Sequence, residues 1–241
     1  MNEESEVLLT TELPLPLFIR GKVRDTYDLG NYILIVVTDR ISAFDVILPC
    51  GIPHKGNVLN QISAFWFDKT KELIQNHVVA VIDDADILND YLPKDMRNRF
   101  PAYLNGRSML VKKAERLPVE CVVRGYISGS AWSEYSKSGT VSGIEMPSGL
   151  TESQKLESPI FTPTTKAEQG HDLPMTMSEM EDLVGKTLAN EIKDASINIY
   201  NNAVEYAQTR GFIIADTKFE FGIDEGKLII IDEMLTPDSS R

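Results

Sequence analysis

The chain of 241 residues is 42% hydrophobic and 25% charged, a composition typical of a globular protein that can bury a substantial core. Its formal net charge of −12 argues against a surface that binds nucleic acid or an anionic membrane. The two cysteines, Cys50 and Cys121, have neither metal-binding nor redox spacing, the N-terminal stretch lacks the features of a signal peptide, and no aliphatic run is long enough to span a bilayer. We therefore expect a cytoplasmic protein.

The first half of the chain predicts strands and one helix. Residues 16–50 contain β-rich runs separated by tight turns, including a Leu-Gly-Asn turn at 29–31. Apolar residues recur at roughly helical spacing over 57–77 and predict an amphipathic helix. Strands are predicted again in RSMLVKKA and VECVVRGYI.

The second half changes from a loop pattern to a helix and then to strands. Residues 136–176 are rich in Gly, Ser, Thr and Pro, so we expect a long loop there that is mobile without ligand. A helix is predicted from Ser178, which would form a capping box with Glu181, to a stop at Gly211, with a kink or split at Gly185. Two closing strands, GFIIADTKFEFG and KLIIIDE, are joined by the turn IDEG and complete a mixed α+β chain.

The strand in ADTKFEFG, residues 215–222, has one charged face. Successive side chains of a strand point to opposite sides, so the threonine and the phenylalanines share one face while Asp216, Lys218 and Glu220 share the other. If IDEG closes a hairpin, Lys218 lies opposite Asp232 and Glu220 lies opposite Ile230. The charged face is then either exposed to solvent or the floor of a site.

A metal site is one interpretation of this face. Glu220 and Asp232 would be diagonal neighbours, roughly 7–8 Å apart. Two carboxylates at that separation can hold a Mg²⁺ ion that keeps several waters and binds phosphate oxygens. The alternative is a solvated face with a cross-strand Lys–Asp pair, and the apolar run LIII before Asp232 favours the site.

Basic residues beside glycine or serine form further candidates. RGKVRDTY places Lys22 and Arg24 on one face of a hairpin that could hold a polyphosphate, although it is not a Walker A loop and a surface hairpin is the alternative. VVRGYISGS brings Arg124 into a Gly/Ser turn, either as a phosphate-binding residue or as a salt-bridged residue at a strand end. TPDSSR alone would be a turn. The absence of hydrolase nucleophile patterns from the sequence disfavours a covalent hydrolase.

Six motifs in sequence resemble one family, the phosphoribosylaminoimidazole-succinocarboxamide synthases (SAICAR synthases) of purine biosynthesis. They are GKVRDTYDLG, TDRISAFD, VECVVRGYISGSAWSEY, TPTTKAEQGHD, ADTKFEFG and DEMLTPDSSR. The last two are the most specific, and the resemblance covers nearly the whole chain. Family chains continue past SSR with an aromatic pair and further helical sequence, whereas this sequence ends at Arg241.

The resemblance implies an ATP-dependent ligase that uses Mg²⁺. Family members join L-aspartate to the carboxylate of 5-amino-1-(5-phospho-ribosyl)imidazole-4-carboxylate and release ADP and phosphate, with an acyl phosphate as the expected intermediate. The implied fold is a two-lobed α+β arrangement of antiparallel sheets with flanking helices, related to ATP-grasp and protein-kinase architectures, with ATP in the cleft. We expect residues 1–115 to cover the nucleotide phosphates and residues 116–241 to carry the substrate and metal site.

The resemblance also assigns roles to individual residues. The expected ATP-binding residues are Lys22 and Arg24 at the triphosphate, Lys112 and Glu120 on the adenine side, and Lys166. The expected substrate-binding residues are Asp39, Ser42, Asp45, Asp238 and Ser240, together with Arg124, Ser130 and Arg241 at the ribose phosphate. The expected catalytic residues, at the imidazole ring or its carboxylate, are Asp216 and Lys218. The expected Mg²⁺ ligands are Glu220 and Asp232.

Two other classes of function stay open at this point. Another small-molecule phosphotransferase on the same scaffold would not depend on aspartate, and the protein-kinase motifs His-Arg-Asp and Asp-Phe-Gly are absent from the sequence. A non-catalytic nucleotide-binding relative would have lost charged residues such as Lys218, Glu220 and Asp232, which this sequence retains. The expected partners are small-molecule substrates, without nucleic acid or membrane, and self-association is left open.

Overall fold

The computed structural model of the chain describes residues 7–43, 46–166 and 172–241. The chain divides into two compact units, Met1–Asp68 with His77–Ala114, and Lys69–Asn76 with Glu115–Arg241. The roles that the sequence predicts for residues 1–115 and 116–241 stay predictions. No helix in the described residues combines the length and the apolar character that crossing a lipid bilayer requires.

The first unit consists mainly of antiparallel strands. Its strands are β1 (Leu17–Arg20), β2 (Arg24–Asp28), β3 (Tyr32–Val37), β4 (Arg40–Ala43), β5 (Val46–Gly51), β6 (Val78–Ile82) and β7 (Ser108–Lys112). The main sheet has the order β1-β2-β3-β7-β6, and β4 pairs with β5 in a separate hairpin. Its helices are α1 (Lys55–Lys69) and the short 3₁₀ helices Ala85–Asp90, Lys94–Met96 and Ala102–Leu104. The predicted turn at 29–31 is confirmed, since β2 and β3 pair directly across it.

The helix predicted over 57–77 is too long, because α1 ends at Lys69. The amides of Leu73 and Ile74 both donate to the carbonyl of Thr70, which closes a turn instead of continuing the helix. One residue later the chain pairs in an extended conformation, since the carbonyl of Gln75 accepts from the amide of Ile230. A long-range strand contact therefore overrides a local helical pattern.

In the described residues, the second unit combines a four-stranded sheet and a two-stranded sheet with three helices. Its strands are β8 (Glu115–Ile127), β9 (Thr140–Val141), β10 (Ile144–Glu145), β11 (Gln154–Thr165), β12 (Asp216–Asp224) and β13 (Lys227–Ile231). Its helices are α2 (Gly129–Ser138), α3 (Met177–Val184) and α4 (Lys186–Gln208). The main sheet is antiparallel with the order β11-β8-β12-β13, while β9 pairs with β10. These antiparallel sheets with flanking helices confirm the predicted α+β class.

Helix α4 packs closely on one face of the main sheet. A Cβ atom on Gly125 of β8 would lie only 2.1 Å from the hydroxyl of Tyr200, so glycine permits this approach of strand and helix. The same hydroxyl donates to the carbonyl of Ile214 at 2.6 Å. The side chains of Phe219 and Phe221 on β12 are fully buried. The other face of the sheet is thereby left for polar side chains.

The prediction of a long loop over 136–176 is wrong. Strand β11 lies within it and pairs with β8 over most of its length. Since β11 is an edge strand, it tolerates Pro159, where the pairing with β8 is irregular, and Pro163, whose carbonyl accepts from the amide of Met175. The Ser, Thr and Pro content, which predicts a loop, here belongs to a strand at the edge of the sheet.

The start of α3 lies two residues before the predicted position. The side chain of Thr176 accepts from the amide of Glu179, and the Glu179 carboxylate accepts from the amide of Thr176. The box predicted between Ser178 and Glu181 is wrong because the Ser/Thr-x-x-Glu spacing occurs twice in this stretch.

The ends of α4 follow the predicted glycines. Gly185, at a φ of 87°, separates α3 from α4, so the predicted split is confirmed. After α4 the amide of Phe212 donates to the carbonyl of Ala207, with Gly211 at a φ of 78°, a helix-ending arrangement that confirms the stop at Gly211. The strand and burial predicted for GFIIA are wrong, because Phe212 and Ile213 are 69% and 67% exposed and β12 begins only at Asp216.

Candidate active site

The face of the main sheet that points away from α4 carries charged and hydroxyl side chains. On β12 and β8 the register pairs Asp216 with Arg124, Lys218 with Val122 and Glu220 with Glu120. On the other side of β8, the register places Thr162 and Thr164 of β11 opposite Val122 and Glu120. We call this surface the polar sheet face: Glu120, Arg124, Thr162, Thr164, Asp216, Lys218 and Glu220. The predicted alternation of β12 is therefore confirmed.

Four side chains form an acid–lysine cluster at one end of this face: Glu120, Lys166, Lys218 and Glu220. Glu120 Oε1 accepts hydrogen bonds from Lys218 Nζ at 2.7 Å and from Lys166 Nζ at 2.8 Å. Glu220 Oε1 accepts from Lys166 Nζ and lies 3.6 Å from Lys218 Nζ. The carboxylates are only 7% and 8% exposed. Glu120, which the resemblance assigns to the adenine side, thus lies beside the expected catalytic lysine.

Burial and opposite charge act against each other in this cluster. Burial alone would raise the pKa of Glu120, but the charge of Lys218 and the hydrogen bonds from both lysines lower it. Burial alone would lower the pKa of Lys166 and Lys218, but the charges of Glu220 and Glu120 raise both. The pKa of Glu220 is raised, first by burial and then by the charge of Asp232. Both lysines are therefore held in the charged form.

The predicted hairpin register is wrong by one residue. Glu220 pairs with Ile231, so Lys218 does not lie opposite Asp232. The turn is the cause, since it contains only residues 225–226, at φ values of 50° and 77°. Two positive φ values are typical of the tight turn that matches the twist of a hairpin.

Asp232 leaves the strand instead of continuing it. Its φ of 71° is uncommon for a residue other than glycine and is often found at functional sites. Its charge nevertheless raises the pKa of Glu220, so the two carboxylates interact. This pair suits Mg²⁺, which binds through one or two carboxylates together with waters and phosphates. Within the described residues, no group of three or more His, Cys, Asp or Glu side chains is arranged to hold a metal ion by itself.

At the other end of the polar sheet face, Asp216 lies between two arginines, which we call the arginine pair: Arg124 and Arg241. Asp216 Oδ2 accepts from Arg124 Nη1 at 3.1 Å and from Arg241 Nη2, while Oδ1 accepts from Arg241 Nε at 3.0 Å. Arg124 also donates to Thr162 Oγ1 at 3.0 Å and to Ser130 Oγ at 3.2 Å. Arg124 is buried, whereas the Arg241 side chain is 54% exposed.

Helix α2 begins beside the arginine pair. A Cβ atom on its first residue, Gly129, would lie 2.5 Å from Arg241 Nη1. Ser128, before the helix, makes no capping hydrogen bond with its side chain, so the first amides lack the usual side-chain acceptor. A cavity of about 490 Å³ is lined in part by Arg124, Ser130 and Thr162. Guanidinium groups and a helix N-terminus together suit an anionic ligand.

Comparison with known proteins identifies the family. The SAICAR synthetase family model matches residues 17–241. The chain belongs to the SAICAR synthetase family. Relatives named phosphoribosylaminoimidazole-succinocarboxamide synthase include one from Thermodesulfovibrio yellowstonii, 54% identical over 236 residues, and one from Geobacter sulfurreducens, 55% identical over 239 residues. Both alignments cover 98% of this chain and 78% of the relative.

Solved members of the family share the fold. The SAICAR synthase from Saccharomyces cerevisiae, in complex with SAICAR, has a TM-score of 0.87 at 46% identity over 97% of this chain and 78% of that chain. A type-2 SAICAR synthetase in complex with ADP has a TM-score of 0.72 at 22% identity over 92% of this chain and 82% of that chain, a similarity that concerns the fold alone.

The basic hairpin that resembles the family's triphosphate contact lies in the first unit. Lys22 is exposed between β1 and β2, and Arg24 is half-buried at the start of β2. Arg40, which the sequence did not single out, is buried and donates to the carbonyls of Gly21 and Lys22 at 2.9 and 3.1 Å. It thereby fixes the backbone that carries Lys22.

The remaining predicted residues of the first unit have different surroundings. Asp39 is fully buried, accepts from the amides of Leu8 and Gly56, and is paired with Arg107 at 3.1 Å, which favours a structural role. Ser42 is half-buried in β4 and Lys112 is exposed at the end of β7. Asp45 lies outside the described residues.

The closing motif TPDSSR contributes Arg241 to the arginine pair and a supporting hydrogen bond of Ser240. Ser240 shares a hydrogen bond of 2.9 Å with Thr217, while Asp238 is exposed. The sequence reasoning missed Thr162, the partner of Arg124, and Gly129, beside Arg241. The alternation in VECVVRG could have placed Glu120 on the face of Arg124, but Thr162 lies on a strand that the sequence did not predict.

Proposed function

We propose that this chain uses ATP to join L-aspartate to the carboxylate of 5-amino-1-(5-phospho-ribosyl)imidazole-4-carboxylate in purine biosynthesis, with release of ADP and phosphate. Membership of the family, the names of the relatives and the yeast complex with SAICAR support this reaction. The structural observation that carries it is one sheet face with an arginine pair at one end and an acid–lysine cluster at the other. The free thiols of Cys50 and Cys121 support a cytoplasmic location.

The layout of the polar sheet face matches the shape of the imidazole nucleotide. Arg124 and Glu120 are four residues apart on β8, which corresponds to about 13 Å along a strand. The substrate has a phosphate at one end and a reactive carboxylate at the other, separated by ribose and imidazole rings. One extended molecule on this face can therefore contact both charged ends.

In this proposal the arginine pair and Ser130 bind the ribose phosphate. Guanidinium groups form planar, charge-assisted hydrogen bonds with phosphate oxygens, which fixes the orientation of the nucleotide as well as its position. The start of α2 adds amide donors next to the same place. The substrate carboxylate is then directed toward Lys218.

The chemistry proceeds in two transfers because a carboxylate is a poor acyl donor. An oxygen of the substrate carboxylate attacks the γ-phosphorus of ATP, the bond from that phosphorus to the bridging oxygen breaks, and ADP leaves. The amine nitrogen of L-aspartate then attacks the acyl carbon, phosphate leaves, and the nitrogen loses a proton. Lys218 offsets the negative charge that gathers as the phosphoryl group approaches the carboxylate.

The proposed metal ligands lie in the second unit, and the proposed triphosphate contacts lie in the first. Glu220 and Asp232 would hold Mg²⁺, which would neutralise charge on the phosphate oxygens when bound. Lys22 and Arg24 remain the proposed triphosphate contacts, as their basic, glycine-containing hairpin suggests. Lys166 donates a hydrogen bond to Glu220, so its position would respond to a change in the charge of that carboxylate.

The experiment is a measurement of ADP release with every combination of substrates. We expect release at the full rate only when the imidazole carboxylate, L-aspartate and Mg²⁺-ATP are all present. Lys218→Met should abolish it, because the variant removes the cation beside the reacting carboxylate. Lys227→Met is the matched control, since Lys227 is exposed at the tip of the same hairpin.

ADP release at the full rate without L-aspartate would contradict ligation and support the phosphotransferase alternative. Equal rates for Lys218→Met and Lys227→Met would contradict the proposed location of the chemistry.

A further inference from the structure

Asp216 is enclosed by cations and has little surface left for a substrate. Its side chain is 7% exposed, and both carboxylate oxygens accept hydrogen bonds from Arg124 or Arg241. Arg241 binds it in the two-pronged manner that is typical of strong guanidinium–carboxylate pairs. These contacts leave the carboxylate poorly placed to touch the imidazole ring, the role that the family resemblance implies.

The arginines, in contrast, keep donors for a ligand. A guanidinium has five N–H donors. Among the described residues, Arg124 donates three hydrogen bonds, to Thr162, Asp216 and Ser130, and Arg241 directs two donors to Asp216. Two donors of Arg124 and three of Arg241 are thus not used by these contacts, and the three charged groups together carry one positive charge. This combination suits a phosphate monoester.

Two positively charged side chains that lie close together repel each other, and this repulsion has to be offset. The charge of Arg241 lowers the pKa of Arg124, after the larger effect of burial, so the two guanidinium groups interact unfavourably. The negative charge of Asp216 between them offsets this repulsion. Gly129 provides the space, because any side chain at that position would meet Arg241 at 2.5 Å.

We propose that Asp216 and Gly129 are positioning residues, which hold Arg124 and Arg241 side by side as a clamp for the sugar phosphate of the substrate. The proposal rests on the proposed function and names residues that act on the substrate only through the arginines. Loss of either residue should weaken binding of the sugar phosphate and raise KM for the imidazole nucleotide. It should leave the affinity for Mg²⁺-ADP nearly unchanged, since the acid–lysine cluster keeps its contacts.

The experiment measures direct binding of ribose 5-phosphate and of Mg²⁺-ADP by calorimetry, together with the kinetics. Asp216→Asn keeps the size of the side chain and removes its charge, and Gly129→Ala displaces Arg241 without changing Asp216. We expect affinity for ribose 5-phosphate to fall about tenfold or more in each, the size expected when a hydrogen bond to a charged group is lost. Gly139→Ala is the matched control, because Gly139 ends α2 at a φ of 74° and has nothing within 4 Å of a Cβ atom.

The binding and kinetic measurements can overturn the proposed roles of Asp216 and Gly129 in several ways. If Asp216→Asn binds ribose 5-phosphate as tightly as the parent, or loses kcat with an unchanged KM, Asp216 is not a positioning residue. If Asp216→Asn does not fold, Gly129→Ala decides, and equal affinities for Gly129→Ala and Gly139→Ala overturn the clamp. A parent chain that does not bind ribose 5-phosphate overturns the clamp as well. Failure of the proposed function is seen separately, as ADP release that does not require both substrates.

Discussion

At the scale of single residues, each charged side chain of the polar sheet face has a partner of opposite sign. Glu120 is shared by Lys166 and Lys218, and Glu220 is bound by Lys166. Buried ion pairs contribute little to stability, because the loss of hydration offsets much of their attraction. A buried set of alternating charges therefore supports the proposed ligand site, and the added charge of Asp232 supports the proposed cation site.

We predict that Glu220→Gln and Asp232→Asn weaken the response to Mg²⁺. Each change keeps the shape of the side chain and removes one negative charge, and Lys166 retains its hydrogen bond to Glu120, so both variants should fold. Mutation of residues that hydrogen-bond to metal ligands already lowers metal affinity by about 10–100-fold. Loss of a ligand itself should therefore raise the Mg²⁺ concentration for half-maximal ligase activity by about tenfold or more. The measurement is the initial rate against Mg²⁺ concentration, with a melting curve for each variant.

The matched control for this prediction is Glu225→Gln. Glu225 is exposed in the turn of the same hairpin, so the variant loses the same charge far from the polar sheet face. It should keep the Mg²⁺ dependence of the parent. An unchanged rate and Mg²⁺ dependence in Glu220→Gln and Asp232→Asn would show that the face is only solvated.

At the scale of elements, strand irregularities and helix ends determine which side chains reach the site. The pairing of β12 with β8 shifts between Glu220 and Gly222, and such bulges change the direction of nearby side chains. The end of β11, which precedes Lys166, is paired with the segment before α3, where the amide of Met175 donates to the carbonyl of Pro163. The segment before α3 therefore anchors the end of β11, which Lys166 directly follows.

We predict that Thr176→Ala destabilises the protein by about 1 kcal/mol, because the first turn of α3 loses its capping hydrogen bond. Ser178→Ala is the matched control, since Ser178 is exposed and, in the structure, lies inside the helix rather than at its cap. Its effect should be within about 0.5 kcal/mol. Urea unfolding of both variants measures the difference, and a larger loss for Ser178→Ala than for Thr176→Ala would contradict the observed cap.

Local patterns predict single strands better than the contacts between them. The alternation in ADTKFEFG correctly places Asp216, Lys218 and Glu220 on one face, because side-chain direction in a strand depends only on the backbone. The register of the hairpin depends on the two positive φ values of its turn, which the letters IDEG do not specify. Glu120, which accepts from Lys218, and Arg124, which donates to Asp216, lie 98 and 92 residues away from these partners, so only the fold brings them together.

The loop predicted from amino-acid composition was wrong because composition, too, carries no information about strand pairing. Ser, Thr and Pro are typical of loops, yet an edge strand such as β11 accepts them because one of its sides needs no strand partner. The motifs were sufficient to recognise the family, whereas Thr162, Gly129 and Arg40 act through contacts that no motif records. What could be predicted was the α+β class and the charged face of β12, while strand β11 and the pairings had to be observed.

At the scale of the whole molecule, an acidic chain is proposed to bind anionic substrates. The formal net charge is −12, so attraction for ATP and the imidazole nucleotide has to come from local cations. The second unit supplies them at both ends of one sheet face, with Arg124 and Arg241 at one end and Lys166 and Lys218 at the other. Each cation is also held by a carboxylate, which fixes its position before the ligand arrives.

The most direct test is a crystal structure of the chain with Mg²⁺-ADP and 5-amino-1-(5-phospho-ribosyl)imidazole-4-carboxylate. We predict the ribose phosphate within hydrogen-bonding distance of Arg124 and Arg241, the imidazole carboxylate beside Lys218, and Mg²⁺ next to Glu220 and Asp232, all on the polar sheet face. A ribose phosphate bound at the acid–lysine cluster, or a nucleotide bound away from this face, would contradict the proposed site.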